Sequence, residues 1–233
     1  MQELFKETKN NMGYQANALD PISNEYVRQA ISDLEGNYID IGAAYGVATK
    51  EILKKRRTAL YCNDIYPEHL AELSNDTRVK CIYGDFMTAD IPKDFFDGVL
   101  CSRVLHFYEK DSVVDALKVM SRFLNRDGKL FLTVETPFLG NWKSHLKTYY
   151  QQKQAGEKWP GNIDNVNEVE STGRKENLPD KMHFFDIDTL VYALNKSGFS
   201  VDRIEYINRR NLFPDDLLFD GRESVGAIAR KVR

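Results

Sequence analysis

Asp40, Gly42, Ala44 and Gly46 occupy every second position of one short run, Tyr-Ile-Asp-Ile-Gly-Ala-Ala-Tyr-Gly from Tyr38 to Gly46. The small side chains from Gly42 to Ala44 leave the main chain bare, so a ligand can reach backbone that larger residues would hold away. A dinucleotide fingerprint would place Gly at the first, third and sixth positions of such a turn. Counted from Gly42, those positions hold Gly42, Ala44 and Val47, so only the first fits. Three other groups have useful chemistry at useful distances. Asp64 lies about 20 residues past the turn, where a βαβ unit sets an acid against a ribose and a carboxylate can accept from both hydroxyls. Asp85 beside Phe86 suits an adenine, the carboxylate accepting from the exocyclic amine and the ring packing on the base. His106 is placed to act as a general base for an acceptor that must lose a proton; the position suits equally a residue that only shapes a pocket.

These groups must be held at one edge of a sheet, and the hydrophobic pattern supplies one. Tyr38–Ile41 reads as a buried parallel strand, and Val47–Lys55 has helical spacing with Val47, Ala48, Ile52 and Leu53 near one face. Strand, small-residue turn and helix bring a helix N-terminus to a ligand. Further strands are predicted at Thr58–Asn63, Val79–Tyr83, Phe95–Ser102 and Lys129–Glu135, with helices at Pro21–Leu34, Glu68–Leu73 and Lys110–Asn125. Asp20 and Pro21 form a start signal for the first of these helices. Regular alternation of strand and helix indicates an α/β, doubly wound sheet. After Glu135 the alternation stops. The segment 136–182 is irregular and rich in aromatics, including Trp142, Tyr149, Tyr150 and Trp159, and is expected to form a lid over the carboxyl edge. Its aromatics either line an apolar acceptor pocket or pack the lid down. A helix from Phe184, a cap at Gly198 and strands at Ser200–Ile207 and Ser224–Ala229 complete a seven-stranded sheet. Residues 1–20 are expected to form an arm or short helix, so that 1–233 reads as a single domain with an arm and an inserted lid.

The chain has 233 residues, 42% hydrophobic and 29% charged, with a net charge of −3. That balance offers no general attraction to nucleic acid or an anionic membrane. No run reaches the ~18 apolar residues needed to span a bilayer, and Met1–Lys6 lacks the apolar core of a signal peptide. Cys62, Cys81 and Cys101 each fall in a predicted strand, without metal or redox spacing. Buried free thiols point to the cytoplasm, and no metal site is expected.

Taken in order, Asp40-x-Gly42-x-Ala44-x-Gly46, Asp64, Gly84-Asp85-Phe86 and the run from Phe96 to Phe107 resemble the successive motifs of class I S-adenosylmethionine-dependent methyltransferases of small-molecule type. The resemblance covers roughly 20–132 and 184–230, leaving the arm and the lid outside it. It implies a Rossmann-like sheet, mostly parallel with an antiparallel last strand, S-adenosyl-L-methionine as cofactor, and methyl transfer to an O, N or C nucleophile. It implies that Gly42, Ala43, Ala44, Tyr45 and Gly46 approach the methionine part, with Asp40 supporting the turn or the amino group. Asp64 would bind the ribose, Ile65 would pack on the adenine, Asp85 and Phe86 would fix the base, and Ser102 and Arg103 would lie along the cofactor. Ala44 departs from the family's glycine by one methyl.

For the acceptor side, Tyr14 in the arm and His145, Tyr149 and His183 in or beside the lid are the candidates, with His106 the candidate base. Tyr14 serves equally to pack the arm on the core. A protein or nucleic-acid methyltransferase is the alternative, although amino-group-modifying members often carry Asn/Asp-Pro-Pro-Tyr/Phe where this chain has Ser102-Arg103-Val104-Leu105. A non-catalytic S-adenosylmethionine-binding protein is the third class.

Overall fold

Alternation of buried side chains fixes the layers. In the strand Phe96–Ser102, Val99 and Cys101 face one way and Leu100 the other; in Leu124–Glu135, Leu130 and Leu132 oppose Phe131 in the same manner. The computed structural model, which describes residues 4–232, covers both faces with helices. The strands are β1 Tyr38–Ile41, β2 Leu60–Asp64, β3 Val79–Tyr83, β4 Phe96–Ser102, β5 Leu124–Glu135, β6 Phe199–Ile207 and β7 Ser224–Lys231. The helices are α1 Pro21–Ser32, α2 Val47–Leu53, α3 Lys110–Phe123, α4 Leu146–Gln154 and α5 Ile187–Lys196. α1 and α2 bury Ile22, Tyr26, Ala30, Ala48 and Ile52 against Leu100 and Phe131. α3 and α5 bury Val113, Leu117, Met120, Leu190 and Leu194 against the opposite face.

The sheet order is β6-β7-β5-β4-β1-β2-β3. β1 to β5 are parallel, while β7 runs antiparallel to both β5 and β6. β1 therefore lies between β4 and β2, and the strand order reverses there. Such a reversal opens a crevice at the carboxyl ends of β1 and β4, the place where open α/β sheets bind ligands. The chain is thus an α/β Rossmann-like fold with a seven-stranded sheet and an antiparallel last strand.

Asp20 starts α1 as its sequence indicates: its Oδ1 accepts from the backbone N–H groups of Ile22 (2.9 Å) and Ser23 (3.0 Å). Three elements differ from the sequence-based expectation. The arm is a hairpin, Phe5–Glu7 paired antiparallel with Tyr14–Ala16, and not a helix. Residues 68–73 form two 3₁₀ turns, Pro67–Leu70 and Leu73–Asn75, because Asp64 draws in the Tyr66 N–H and the His69 ring, each at 2.9 Å. α3 stops at Phe123 and the chain enters β5 directly, with 126–128 carried as an irregularity in its pairing with β4.

The 136–182 segment is a packed substructure. Leu139, Trp142, Ile163, Val166 and Met182 form a cluster with Phe184, Phe213 and Leu217, against Phe5 and Ala16 of the hairpin. No helix among the described residues is long and apolar enough to cross a membrane.

Candidate active site

Gly42, Ala44 and Gly46 all adopt left-handed backbone, with φ of 64°, 46° and 69°. This conformation turns the chain sharply from β1 into α2. It is nearly free for glycine and costs an L-residue about 1–2 kcal/mol. Ala44 thus adds more than a methyl: it carries backbone strain at the place where glycine would carry none. Ala44→Gly is expected to raise unfolding stability by about 0.5–1 kcal/mol, read as a higher midpoint in urea at an unchanged slope.

The turn is held from two sides. Asp64, at the end of β2, accepts from the Ala44 N–H through Oδ2 at 2.8 Å, while its Oδ1 accepts from the Tyr66 N–H and meets His69 Nδ1. From the hairpin, Gln15 donates through Nε2 to the Ala43 carbonyl and accepts through Oε1 from the Tyr45 N–H, both at 3.1 Å. Nothing about an isolated polar residue in an arm marks its partner, so the sequence alone does not single out Gln15.

A cavity of about 370 Å³ opens beside this turn. Asp40, Gly42, Ala43, Ala44, Asp64, Ile65, Asp85, Phe86, Ser102 and Arg103 all border it, so the ends of β1, β2, β3 and β4 meet on one space. Tyr14, Gln15 and Leu19 border it from the arm, and Tyr108 and Arg209 complete the wall. Asp85 Oδ1 accepts from the Tyr108 hydroxyl and the Met87 N–H, each at 3.0 Å. Tyr108 went unassigned in the sequence, although its place two residues after His106 in an aromatic run put it near the same edge.

Two charges of opposite sign border this cavity with few partners. Asp40 is buried; its side chain's only hydrogen bond among the described residues is a long one from Thr49 Oγ1, at 3.4 Å. Burial, opposed by that bond and reinforced by the Asp64 charge, lifts its carboxyl to about 7. Arg209 is buried over the Phe213 ring, donates to Ser224 Oγ at 2.9 Å and lies 3.7 Å from Asp20. Burial lowers it to about 10, so it stays charged at neutral pH. A ligand with an ammonium and a carboxylate suits this pair.

Not every candidate residue reaches the cavity. Tyr45 turns away, donating its hydroxyl to the Glu7 carbonyl at 2.9 Å beneath the Lys6 ammonium. Gly46 is a packing glycine: a Cβ there would lie 2.4 Å from Leu73 Cδ1. Tyr149 is buried and donates to Asp186 Oδ2 at 2.6 Å. His145 and His183 are buried as well, His183 against the rings of Trp159 and Phe185. These three border neither the large cavity nor its neighbour. Their place is packing within 136–186, because that segment has a core of its own to fill. The roof of the large cavity is the hairpin arm rather than the lid.

His106 faces a second, smaller cavity of about 30 Å³, bordered also by Glu135, Asn141 and Trp142. Tyr14, Arg103 and Phe107 border both cavities and form the wall between them. Arg103, itself at φ 61°, donates to Glu135 Oε1 from Nε (3.0 Å) and Nη2 (2.6 Å), and to the Tyr14 carbonyl from Nη1 (3.0 Å). Burial holds the His106 imidazole down at about 4, against the opposing pull of Glu135.

A family model described as a methyltransferase domain matches residues 39–132, the stretch that supplies β1 to β4 and the motifs on the large cavity. Over these residues the chain is similar to a methyltransferase domain. A curated relative, an uncharacterized methyltransferase of Staphylococcus carnosus, is 31% identical over 56% of this chain and 62% of its own length. The chain therefore spans about three fifths of that relative's length. The fold also matches a solved S-adenosylmethionine-dependent methyltransferase of Methanosarcina mazei, with a TM-score of 0.63 at 19% identity, covering 92% of this chain and 98% of the other. A third match is the 1,6-didemethyltoxoflavin-N1-methyltransferase of Burkholderia thailandensis, solved with 1,6-didemethyltoxoflavin and S-adenosylhomocysteine. Its TM-score is 0.58 at 17% identity, covering 89% and 79% of the two chains. The cavity's bare turn, its acids at three strand ends and its Asp40 and Arg209 fit S-adenosylmethionine.

His183 supplies a test of the packing. Both its ring nitrogens lack a partner among the described residues, and burial, with the Lys110 charge, holds it down at about 3. The unfolded chain takes up this proton near pH 6.5 and the folded chain does not, so stability is lost as pH falls below about 6.5. His183→Phe removes that penalty. Between pH 7.5 and pH 5, its stability relative to the parent is expected to rise by about 2 kcal/mol, measured by urea unfolding at each pH.

Proposed function

We propose that the chain transfers the methyl group of S-adenosylmethionine to a small-molecule acceptor. The observation that carries this reading is the pair of cavities with a common wall of Tyr14, Arg103 and Phe107. One has the cofactor-type residues; the other is small, mostly apolar, and bordered by lid residues such as Asn141, Trp142 and Met182 together with Arg103, His106 and Phe107 just after β4. The net charge of −3 supports a small acceptor over nucleic acid. The Burkholderia thailandensis neighbour, solved with bound 1,6-didemethyltoxoflavin and S-adenosylhomocysteine, supports it by analogy of fold.

Bound S-adenosylmethionine supplies a sulfonium methyl that is already activated. Asp64 holds the ribose hydroxyls, Asp85, Phe86 and Ile65 hold the adenine, and Asp40 and Arg209 hold the two charges of the methionine end. Tyr14, Arg103 and Phe107 orient the acceptor and keep water out, which is most of what in-line methyl transfer requires. His106 is neutral at physiological pH and can take a proton at Nδ1. Its low basicity suits a proton made acidic as the acceptor gains positive charge. The free thiols of Cys62, Cys81 and Cys101 support a reducing compartment such as the cytoplasm.

The test is incubation with methyl-labelled S-adenosylmethionine and a fractionated metabolite extract. Label is expected in the small-molecule fraction. Label found only in protein or nucleic acid would overturn the small-acceptor reading.

A further inference from the structure

The smaller cavity is unusual in how much of its polar lining goes unused. His106 Nδ1, Asn141 Oδ1 and Trp142 Nε1 are all buried without a hydrogen-bond partner among the described residues, and all three residues border the same space. His106 and Trp142 are each 1% exposed and Asn141 is 5% exposed. One orphaned buried polar atom costs about 1–3 kcal/mol, so three around one cavity call for a partner inside it. The indole offers a donor and the amide oxygen an acceptor, while a neutral imidazole nitrogen can serve as either.

We infer that this cavity seats the polar end of a neutral acceptor that carries a hydrogen-bond donor and acceptor on neighbouring atoms, as on an amide, lactam or heterocyclic N–H/C=O edge. The inference rests on the methyl-transfer reading above and names its substrate class. Charge decides against ionic alternatives. Arg103 is already neutralised by Glu135, to which it donates twice, and it donates a third time to the Tyr14 carbonyl. An entering carboxylate would face Glu135, and an entering cation would face Arg103 and Arg174, the latter already paired with Asp216. Either would be a buried charge without a free counter-charge, which costs several kcal/mol. A neutral edge with both hydrogen-bonding senses satisfies Trp142 and Asn141 together.

The test uses the full chain saturated with S-adenosylhomocysteine and follows the indole N–H resonances by nuclear magnetic resonance. The chain has two tryptophans, so Trp159→Phe assigns the signal of Trp142. The probes are 2-pyridone, N-methyl-2-pyridone, which lacks the donor, and benzoate. 2-Pyridone is expected to shift the Trp142 indole signal and to bind about tenfold more tightly than either other probe. Asn141→Leu is expected to abolish that preference while leaving S-adenosylhomocysteine affinity unchanged. An indole signal that no probe moves would mean that the cavity holds only water, for which about 30 Å³ suffices, and would overturn the inference. Equal or tighter binding of benzoate would overturn it as well, as would a preference that survives in Asn141→Leu. Failure of the parent protein to bind S-adenosylhomocysteine would instead count against the methyltransferase reading itself.

Discussion

Asp64→Ala is expected to weaken binding of S-adenosylhomocysteine by about a hundredfold, or roughly 2.7 kcal/mol. Hydrogen bonds to a charged group contribute about 1.5–3 kcal/mol, and the proposed ribose contact would account for that much alone. The structure adds a second loss. Asp64 also fixes the Ala44 N–H, the Tyr66 N–H and the His69 ring, so its removal frees the strained turn that the cofactor must meet in one shape. Titration calorimetry on the variant checks this, with its urea midpoint measured in parallel to confirm that it folds. Affinity within twofold of the parent would show that the ribose lies elsewhere.

Gly42→Ala is the second large effect. A Cβ at this position would stand 2.4 Å from Val104 Cγ2, on backbone with a φ of 64°. The left-handed conformation costs about 1–2 kcal/mol for an L-residue, and forcing a methyl into packed side chains costs about 1–3 kcal/mol more. A loss near 3 kcal/mol of stability is expected, together with weaker cofactor binding. The two components separate in a double-mutant cycle with Val104→Ala. The second substitution should recover the steric part and leave the backbone part. No recovery would mean that Val104 is not what excludes a side chain at Gly42.

Much of this site could be read in advance because its signals are local. Asp20-Pro21 caps a helix through bonds that span three residues, and the turn from Asp40 to Gly46 carries its chemistry in its own backbone. Asp64 and Asp85 follow from the period of the βα units. Where the sequence reading departed from the structure, the deciding contacts are distant in the chain. The hairpin strands Phe5–Glu7 and Tyr14–Ala16 are too short to show a period, and their docking depends on Gln15 meeting residues about 30 positions away. Tyr45 lies within the recognised motif yet faces the hairpin, because left-handed residues on both sides of it rotate the chain in a way spacing does not record. Tyr149 was equally suited to a pocket or to packing. Its bond to Asp186, 37 positions away, decides for packing.

The cofactor's place at the carboxyl ends of β1, β2 and β3 is tested most directly by calorimetric titration of S-adenosylmethionine, S-adenosylhomocysteine and NAD against the same protein. One S-adenosylhomocysteine per chain is expected, with a dissociation constant of about a micromolar, weakened about a hundredfold in Asp64→Ala and unaffected by NAD. Heat on adding NAD, with S-adenosylmethionine and S-adenosylhomocysteine ignored, would contradict it.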